Sequence, residues 1–464
     1  MEQERTPTAT APPTRARRRM LQRRRRTVRV VLVGVVSLAL VAGVALGVLQ
    51  WRLSANLSTA TVGDHLVEDD TDTGALNVLF IGSDSRDLRT SKHGNGDGSR
   101  RSDALVLAHV AADNSRIDAV QIPRDTLLDL PSCDDADGTS HAGGPGMINA
   151  ALQHGPACSV RAVEALSDVH VHHFVELDFD GFADMVDALG GVDVCLPEAL
   201  RDDDAHLDLP AGKQRVDGTD ALALARTRHA IGDGSDLSRI GHQQVVMSAI
   251  IHEVRSAEVL TRPDRLVRFL DAATQSMTVD DDLASTRALG RLAQRVRSVD
   301  PARITFMAMP TAAAPQDPNR VVATDDARTV FSAIDADEPV RLASDRPAPS
   351  PKHAPIEVLN GARVPGLAAS AAGQLESLGH TVVAAGDAQE PAERTILVVD
   401  GSDRAKRTAA AVARSFGLDV EPQVDPDVAG VRLVLGASDA TGLQVRDTPA
   451  VETTSRHADE DLCS

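Results

Sequence analysis

The sequence predicts an α/β fold: a mixed central sheet flanked by helices, a small separate α/β domain after it, and one transmembrane helix ahead of both. Three observations carry that prediction. Apolar runs of strand length alternate with helix-length segments between residues 74 and 334. A proline- and charge-rich stretch, DADEPVRLASDRPAPSPKHAP, separates this region from a second set of short strands and helices. Residues 30–49 carry no charge and follow an arginine-rich head.

Residues 1–29 hold ten arginines against Glu2 and Glu4 and show no apolar period, so they read as a basic disordered tail. The whole chain is at −19, so the body beyond this head is strongly acidic, which argues against a nucleic-acid partner. The uncharged stretch Val30 to Leu49 would span roughly 30 Å as a helix, the thickness of a bilayer's hydrocarbon core. A cleaved signal peptide has a shorter apolar region of about 7–15 residues. The arginines before the span orient it with the N-terminus in the cytoplasm and the rest outside the cell, a single-pass protein of the cell membrane. Residues 50–73, rich in Ser, Thr and Asp, read as a stalk with a reach of roughly 25–30 Å if flexible.

The main domain, 74–334, opens with strand-like runs at 77–81, 104–110 and 117–122. A loop rich in Gly, Asp and His covers 129–146. A helical stretch at 147–168, a strand at 171–179, a helix at 180–189 and a GGVDVCLP strand at 190–197 follow. A helix then runs from Gly218 into ARTRH, and a longer one over 239–256 repeats Ile240, Val245, Val246, Ile250 and Ile251 at near-helical spacing. The linker is placed at 335–353, the small α/β domain at 354–437, and an acidic, loose tail at 438–464.

Each of the first strand-like runs borders an Arg/Asp pair: NVLFIGSDSR ends with Asp84 and Arg86 among its last three residues, RRSDALVLAHV has Arg101 and Asp103 among its first four, and IDAVQIPRDTLL carries Arg124 and Asp125. Strand ends hold loop residues in fixed positions. Arginine's planar fork pairs with phosphate oxygens, and paired carboxylates with phosphate oxygens are the usual ligand set of Mg²⁺. Arg226 and Arg228 lie in ARTRH. Arg239 and Gln243, four apart, share a helix face, with Asp236 or Ser235 as a cap that puts Arg239 in the first turn. His170, His172 and His173 lie in a strand and match no Cys/His metal spacing. In an oxidising compartment Cys133 and Cys158, about 25 residues apart, form the expected disulfide, worth roughly 3–4 kcal/mol. Cys195 and Cys463 are left unassigned. No GxSxG, Walker loop or HExxH is present.

Together these segments resemble the LytR-CpsA-Psr family of cell-envelope phosphotransferases. The resemblance rests on NVLFIGSDSR, RSD at 101–103, IPRD at 122–125, MINAA at 147–151, VELDFDGF at 176–182, LGGVDV at 189–194, LPAG at 209–212, DG…ALALARTRH at 217–229 and GDGSDLSRIGHQQ at 232–244. VLNG and VPGLA in the small unit look like the LytR C-terminal domain of actinobacterial members. The resemblance implies transfer of a glycopolymer from a polyprenyl-diphosphate carrier to peptidoglycan, with Mg²⁺ and at a membrane. It implies that Asp84 and Asp103 hold the metal, and that Arg101, Arg124, Arg226, Arg228, Arg239 and Gln243 contact the diphosphate, joined by Arg86 from the strand-end reading. Arg101, Arg124 and Asp125 are the catalytic candidates, with the proton acceptor open between Asp125 and Asp103. The lipid would lie in an apolar channel walled by the 180–189 and 240–256 helices. Met147 stands where the family often has Lys, and His242 where a second Arg often follows. The alternatives are hydrolysis of the polyprenyl diphosphate, or a non-catalytic lipid-diphosphate-binding scaffold of the envelope.

Overall fold

A computed structural model describes residues 15–63, 65–67, 74–83, 100–134, 138–227, 236–256, 262–343, 353–416, 418, 420–438, 451–460 and 463. Residues Met1–Leu57 and Ser58–Ser464 form two compact units.

The first unit is dominated by helix α1, Arg15–Asn56. Its segment Val31–Asn56, mean hydropathy 2.7, is long and apolar enough to cross a membrane. The helix corrects the expected disorder of the head: residues 15–29 are helical, because arginine is a good helix former and the apolar run supplies the continuing ladder.

The second unit is built on an eight-stranded mixed sheet. In chain order its strands are β1 (Ser58–Thr59), β2 (Leu76–Ser83), β3 (Ser102–Val110), β4 (Ile117–Ile122), β5 (His173–Asp178), β6 (Met277–Val279) and β7 (Ile304–Ala308). An eighth, Ser455–His457, comes from the far end of the chain. Their spatial order is β1-β6-β5-β2-β3-β4-β7 and then Ser455–His457. β2, β3 and β4 form an antiparallel meander, and β5 and β7 join its two sides in parallel.

The expected stalk is shorter than its composition suggests. β1 pairs with β6, Ala60 and Val62 pack against the core, and His65 and the Leu66 N–H bond to the buried Glu164. The expected helix over 147–168 divides into a 3-10 turn at Ile148–His154 and helix α2, Pro156–Ser167. The break is local chemistry, since Gly155 has φ 101° and Pro156 can only begin a helix. Helices α3 (Phe179–Leu189), α4 (Gly218–Arg226), α5 (Asp236–Arg255), α6 (Pro263–Ser276), α7 (Thr286–Ser298) and α8 (Asp325–Asp335) follow. The predicted 190–197 strand exists as Val192–Leu196 but stays outside the central sheet, in a hairpin with Gly212–Val216.

One sheet face is tightly filled. Leu79, Ile81, Leu105, Leu107, Val120, Ile122 and Phe174 meet α2 and α8 through Val160, Val163, Val330 and Phe331. Each of these strands is apolar on both faces, as a sheet covered on both sides requires.

The small domain has its own five-stranded sheet: β8 (Ile356–Asn360), β9 (Val382–Asp387), β10 (Ile396–Val399), β11 (Gln423–Val424) and β12 (Val431–Leu435), in the order β9-β8-β12-β10-β11. Helices α9 (Leu367–Ser377) and α10 (Asp403–Ser415) accompany it, and a separate core holds Ile356, Val358, Leu375, Leu397, Val412 and Leu433.

The expected loose tail is a correction. Val451 bridges Leu342, which is buried with Val340 in what reads as linker. Strand β13 (Ser455–His457) adds to the edge of β7, and Cys463 is bonded to Cys195. The small domain is therefore an excursion between two segments of the larger one. Cys133–Cys158 forms as expected.

Candidate functional site

The other sheet face is hollow. A cavity of about 610 Å³ runs along it, floored by Val78, Phe80, Gly82, Ala104, Val106, Ala108, Ala119 and Val175. Period-2 alternation puts small residues here while the large ones of the same strands point to the packed face. Gly82 is one device: a Cβ there would come 3.1 Å from that of Ala104. Phe80, 40% exposed, is a large side chain facing empty space. α3 and α5 form walls through Phe179, Phe182 and Met185, and through Val246, Met247, Ile250 and Ile251. Both helices were the expected walls.

One end of the cavity is polar. β2, β4 and β5 run toward it and β3 begins there, so Asp103, Arg124 and Asp178 gather at one edge of the sheet. Ser83, directly before Asp84, pairs with Ser102, directly before Asp103. Arg124 Nη1 donates to Asp103 Oδ1. The Arg124 Nε is buried without a hydrogen-bond partner among the described residues.

Arg226 arrives from the last turn of α4. That helix is capped by Asp217, whose side chain accepts from the Asp220 N–H at 3.0 Å. A Cβ on Gly218 would lie 2.1 Å from the Ala183 carbonyl oxygen, so glycine lets α4 abut α3. The Arg226 guanidinium lies 4.9 Å from the Phe179 ring centroid, a cation–π contact. Arg239, only 4% exposed, and Gln243 come from the start of α5.

The structure thus brings together Asp103, Arg124, Arg226, Arg239 and Gln243. Asp84, Arg86 and Arg228 lie outside the described residues. Arg101 is exposed ahead of β3 and does not line the cavity. Asp125 does not line it either. Its Oδ1 is 3.5 Å from Arg320 Nη1 and 3.8 Å from Arg124 Nε. Arg320 reaches Asp125 from the strand Asp317–Ala323.

Three groups escaped the sequence reading. Gln121, buried on β4, donates through Nε2 to Gln243 Oε1, and Gln243 Nε2 donates to the Ala225 carbonyl at 3.1 Å, beside Arg226. The Gln121 Oε1 is left buried without a partner among the described residues. Its position directly before Ile122-Pro123-Arg124 was the available signal. The second is Asp178, in VELDF. Burial pushes its carboxyl above the usual range, helped by the charges of Asp180, Glu176 and Asp184 and opposed by the Gly181 N–H it accepts at 2.6 Å. The third is Arg100, which pairs through Nε with the buried Glu176 at 3.2 Å.

The histidines at 170–173 hold structure. Nδ1 of His170 donates to the Val67 carbonyl at 2.7 Å, that of His172 accepts from the Asn77 N–H at 3.1 Å, and that of His173 lies 3.1 Å from Asp280. His65, Glu164 and His170 do bring three donor atoms within 4.8 Å of one another. Glu164 already accepts from His65 at 2.7 Å, Leu66 at 2.8 Å and Val171 at 3.1 Å, which accounts for the cluster as a clamp on residues 65–67.

The model of the LytR_cpsA_psr family matches residues 52–333, and that described as LytR cell envelope-related transcriptional attenuator matches residues 353–438. The cell wall biosynthesis protein LcpA of Corynebacterium glutamicum is 29% identical over 419 residues, covering 80% of this chain and 78% of that protein. The polyisoprenyl-teichoic acid–peptidoglycan teichoic acid transferase TagT of Bacillus subtilis is 29% identical over 247 residues, 52% of this chain and 71% of that one. A LytR-Csp2A-Psr enzyme from Actinomyces oris superimposes with a TM-score of 0.47 at 22% identity, covering 60% of this chain and 96% of that chain.

Proposed function

The chain belongs to the LytR-CpsA-Psr family, and we propose that it transfers a glycopolymer from a polyprenyl-diphosphate carrier to peptidoglycan through a new phosphodiester. The observation that carries this reading is one cavity with two chemistries: an apolar floor along the sheet and, at one end, three arginines, Gln243 and Asp103. An amphiphile with a long apolar chain and a compact, multiply charged anion fits that division. Relatives named as teichoic acid transferases support the same reading.

Arg124, Arg226 and Arg239 would bind the diphosphate and oppose the charge that develops on the leaving polyprenyl phosphate. Gln121 and Gln243 tie β4 to α4 and hold this end in register. The donor set fits a hard divalent cation, since Asp103 offers carboxylate oxygen and is only partly buried. Asp103 with Asp84 would hold Mg²⁺, which when bound supplies further neutralisation of phosphate charge. Asp178, its carboxyl raised by burial, is suited to take the proton of an attacking sugar hydroxyl. On this reading the positive-inside rule would keep the arginine-rich head in the cytoplasm and leave the site outside the cell.

The test is transfer by the purified full chain from a lipid-linked glycopolymer to peptidoglycan fragments, with and without Mg²⁺. Covalent product that depends on the acceptor supports transfer. Release of phosphorylated glycan alone would favour hydrolysis, and tight lipid binding without either product would favour a scaffold.

A further inference from the structure

The C-terminal strap, residues 451–460 with Cys463, joins the larger domain at the Val451–Leu342 bridge and at three further points. β13 pairs with β7 in the register Phe306↔Arg456, the Ala458 carbonyl lies 2.8 Å from His252 Nε2 on α5, and Cys463 is bonded to Cys195. Ala458 is 1% exposed, within the cluster of Val106, Ala108, Val110, Ile117, Ala119 and Phe306. Most of these residues also line the cavity.

Arg456 is the unusual residue of this strap. Directly opposed residues of an antiparallel pair project from the same face, and its partner Phe306 lines the cavity. The guanidinium is mostly buried, its side chain 18% exposed. Its Nε and Nη1 are buried without hydrogen-bond partners among the described residues. Among the described residues it is paired with half-exposed Glu460, whose Oε2 is 3.9 Å from Nε, beyond hydrogen-bond reach. Burying unsatisfied guanidinium donors costs free energy, and such groups persist where a ligand completes them. The surroundings point to which ligand. Arg456 lies close enough to His242 that its charge, together with the larger effect of burial, holds that imidazole below its ordinary value. His242 is flanked on α5 by Arg239 and Gln243, both at the polar end of the cavity.

We propose that Arg456 is a further anion-binding residue of the site, delivered by the C-terminal strap to the phosphate end of the bound substrate. The inference rests on the diphosphate reading above and deepens it. The strap supplies a positive charge from some two hundred residues beyond α5; its Ala458 carbonyl meets His252 on the helix that carries Arg239, and the Cys195–Cys463 bond ties it to the Val192–Leu196 strand.

The test compares binding of a polyprenyl diphosphate and of the uncharged polyprenyl alcohol of the same length to the full chain in detergent. Wild type, Arg456→Gln and Arg456→Lys are measured, each checked for its melting temperature. The expected result is about tenfold weaker diphosphate binding in Arg456→Gln, about 1.4 kcal/mol, with alcohol binding changed less than about twofold. Arg456→Lys keeps the charge and should recover most of the loss. Parallel weakening of both ligands in either folded variant would make Arg456 a wall residue and overturn the proposal, as would unchanged binding of both. If Arg456→Gln fails to fold, the lysine variant decides: it must keep the wild-type preference for the diphosphate. A wild type without that preference would sink the proposed function itself, whereas a preference that survives Arg456→Gln sinks only the role of Arg456.

Discussion

The two faces of the central sheet are made by the same strands and do opposite things. On β3, Leu105 and Leu107 point into a filled core, while Ala104, Val106 and Ala108 point into a cavity. On β4, Val120 and Ile122 are core, and Ala119 and Gln121 face the cavity. One residue of register separates stability from binding. The packed face supplies the rigidity that lets the hollow face stay open, since a cavity left empty in a core is otherwise destabilising.

This contrast is open to attack, and the packed face should respond most strongly. Leu107→Ala should cost about 2–5 kcal/mol of stability, read from denaturant unfolding, because it leaves a void in a close-packed layer. A cost below about 1 kcal/mol would mean that this face is not the packed one. Asp103→Asn should lower the transfer rate by about a hundredfold with little change in melting temperature, since its work is electrostatic and at a partly exposed end. Ala119→Leu, one position from the core residue Val120, should weaken binding of a polyprenyl chain by about tenfold while stability changes by less than about 1 kcal/mol. Equal stability losses for the Leu107 and Ala119 variants would erase the distinction.

The smallest effect is expected at Asp280, far from the polar end. Burial pushes its carboxyl up, but His173 and the N–H groups of Phe174 and Leu283 outweigh that and leave it lowered. A lowered carboxyl contributes stability that is present above its unfolded value, about 4, and is lost as pH falls through the folded one. Asp280→Asn should therefore cost about 1 kcal/mol at pH 7 and flatten the acid side of the stability curve below about pH 4, with lipid binding intact.

Much of this was legible in the residues. The apolar runs marked β2, β3 and β4; two members of the Arg/Asp pairs, Asp103 and Arg124, lie at the polar end; and Cys133 and Cys158 paired as their spacing suggested. The hollow face was written in the same strands as Gly82, Ala104, Ala108 and Ala119, but small residues are also ordinary in a core, so their alternation alone does not announce a cavity. What stayed hidden depends on distant chain. Nothing near Asp125 foretells Arg320, nearly two hundred residues on, as its partner. The tail after 438 looks acidic and loose, and only its return as β13 and the Cys195–Cys463 bond reveal it as part of the domain. The stalk was misread for a related reason, because Ser58–Thr59 finds its strand partner more than two hundred residues away.

The central claim is that the hollow face holds the lipid chain with its anion at the Arg/Asp end. Its most direct measurement is photo-crosslinking of the full chain with a polyprenyl diphosphate whose terminal isoprene carries a diazirine, followed by peptide mapping. The chain should label the apolar end of the cavity, at Val110, Ile117, Ile251, Val296 or Ile304, and excess diphosphate without the label should compete it away. Labelling confined to α1, to the small domain, or to residues of the packed face would contradict the account.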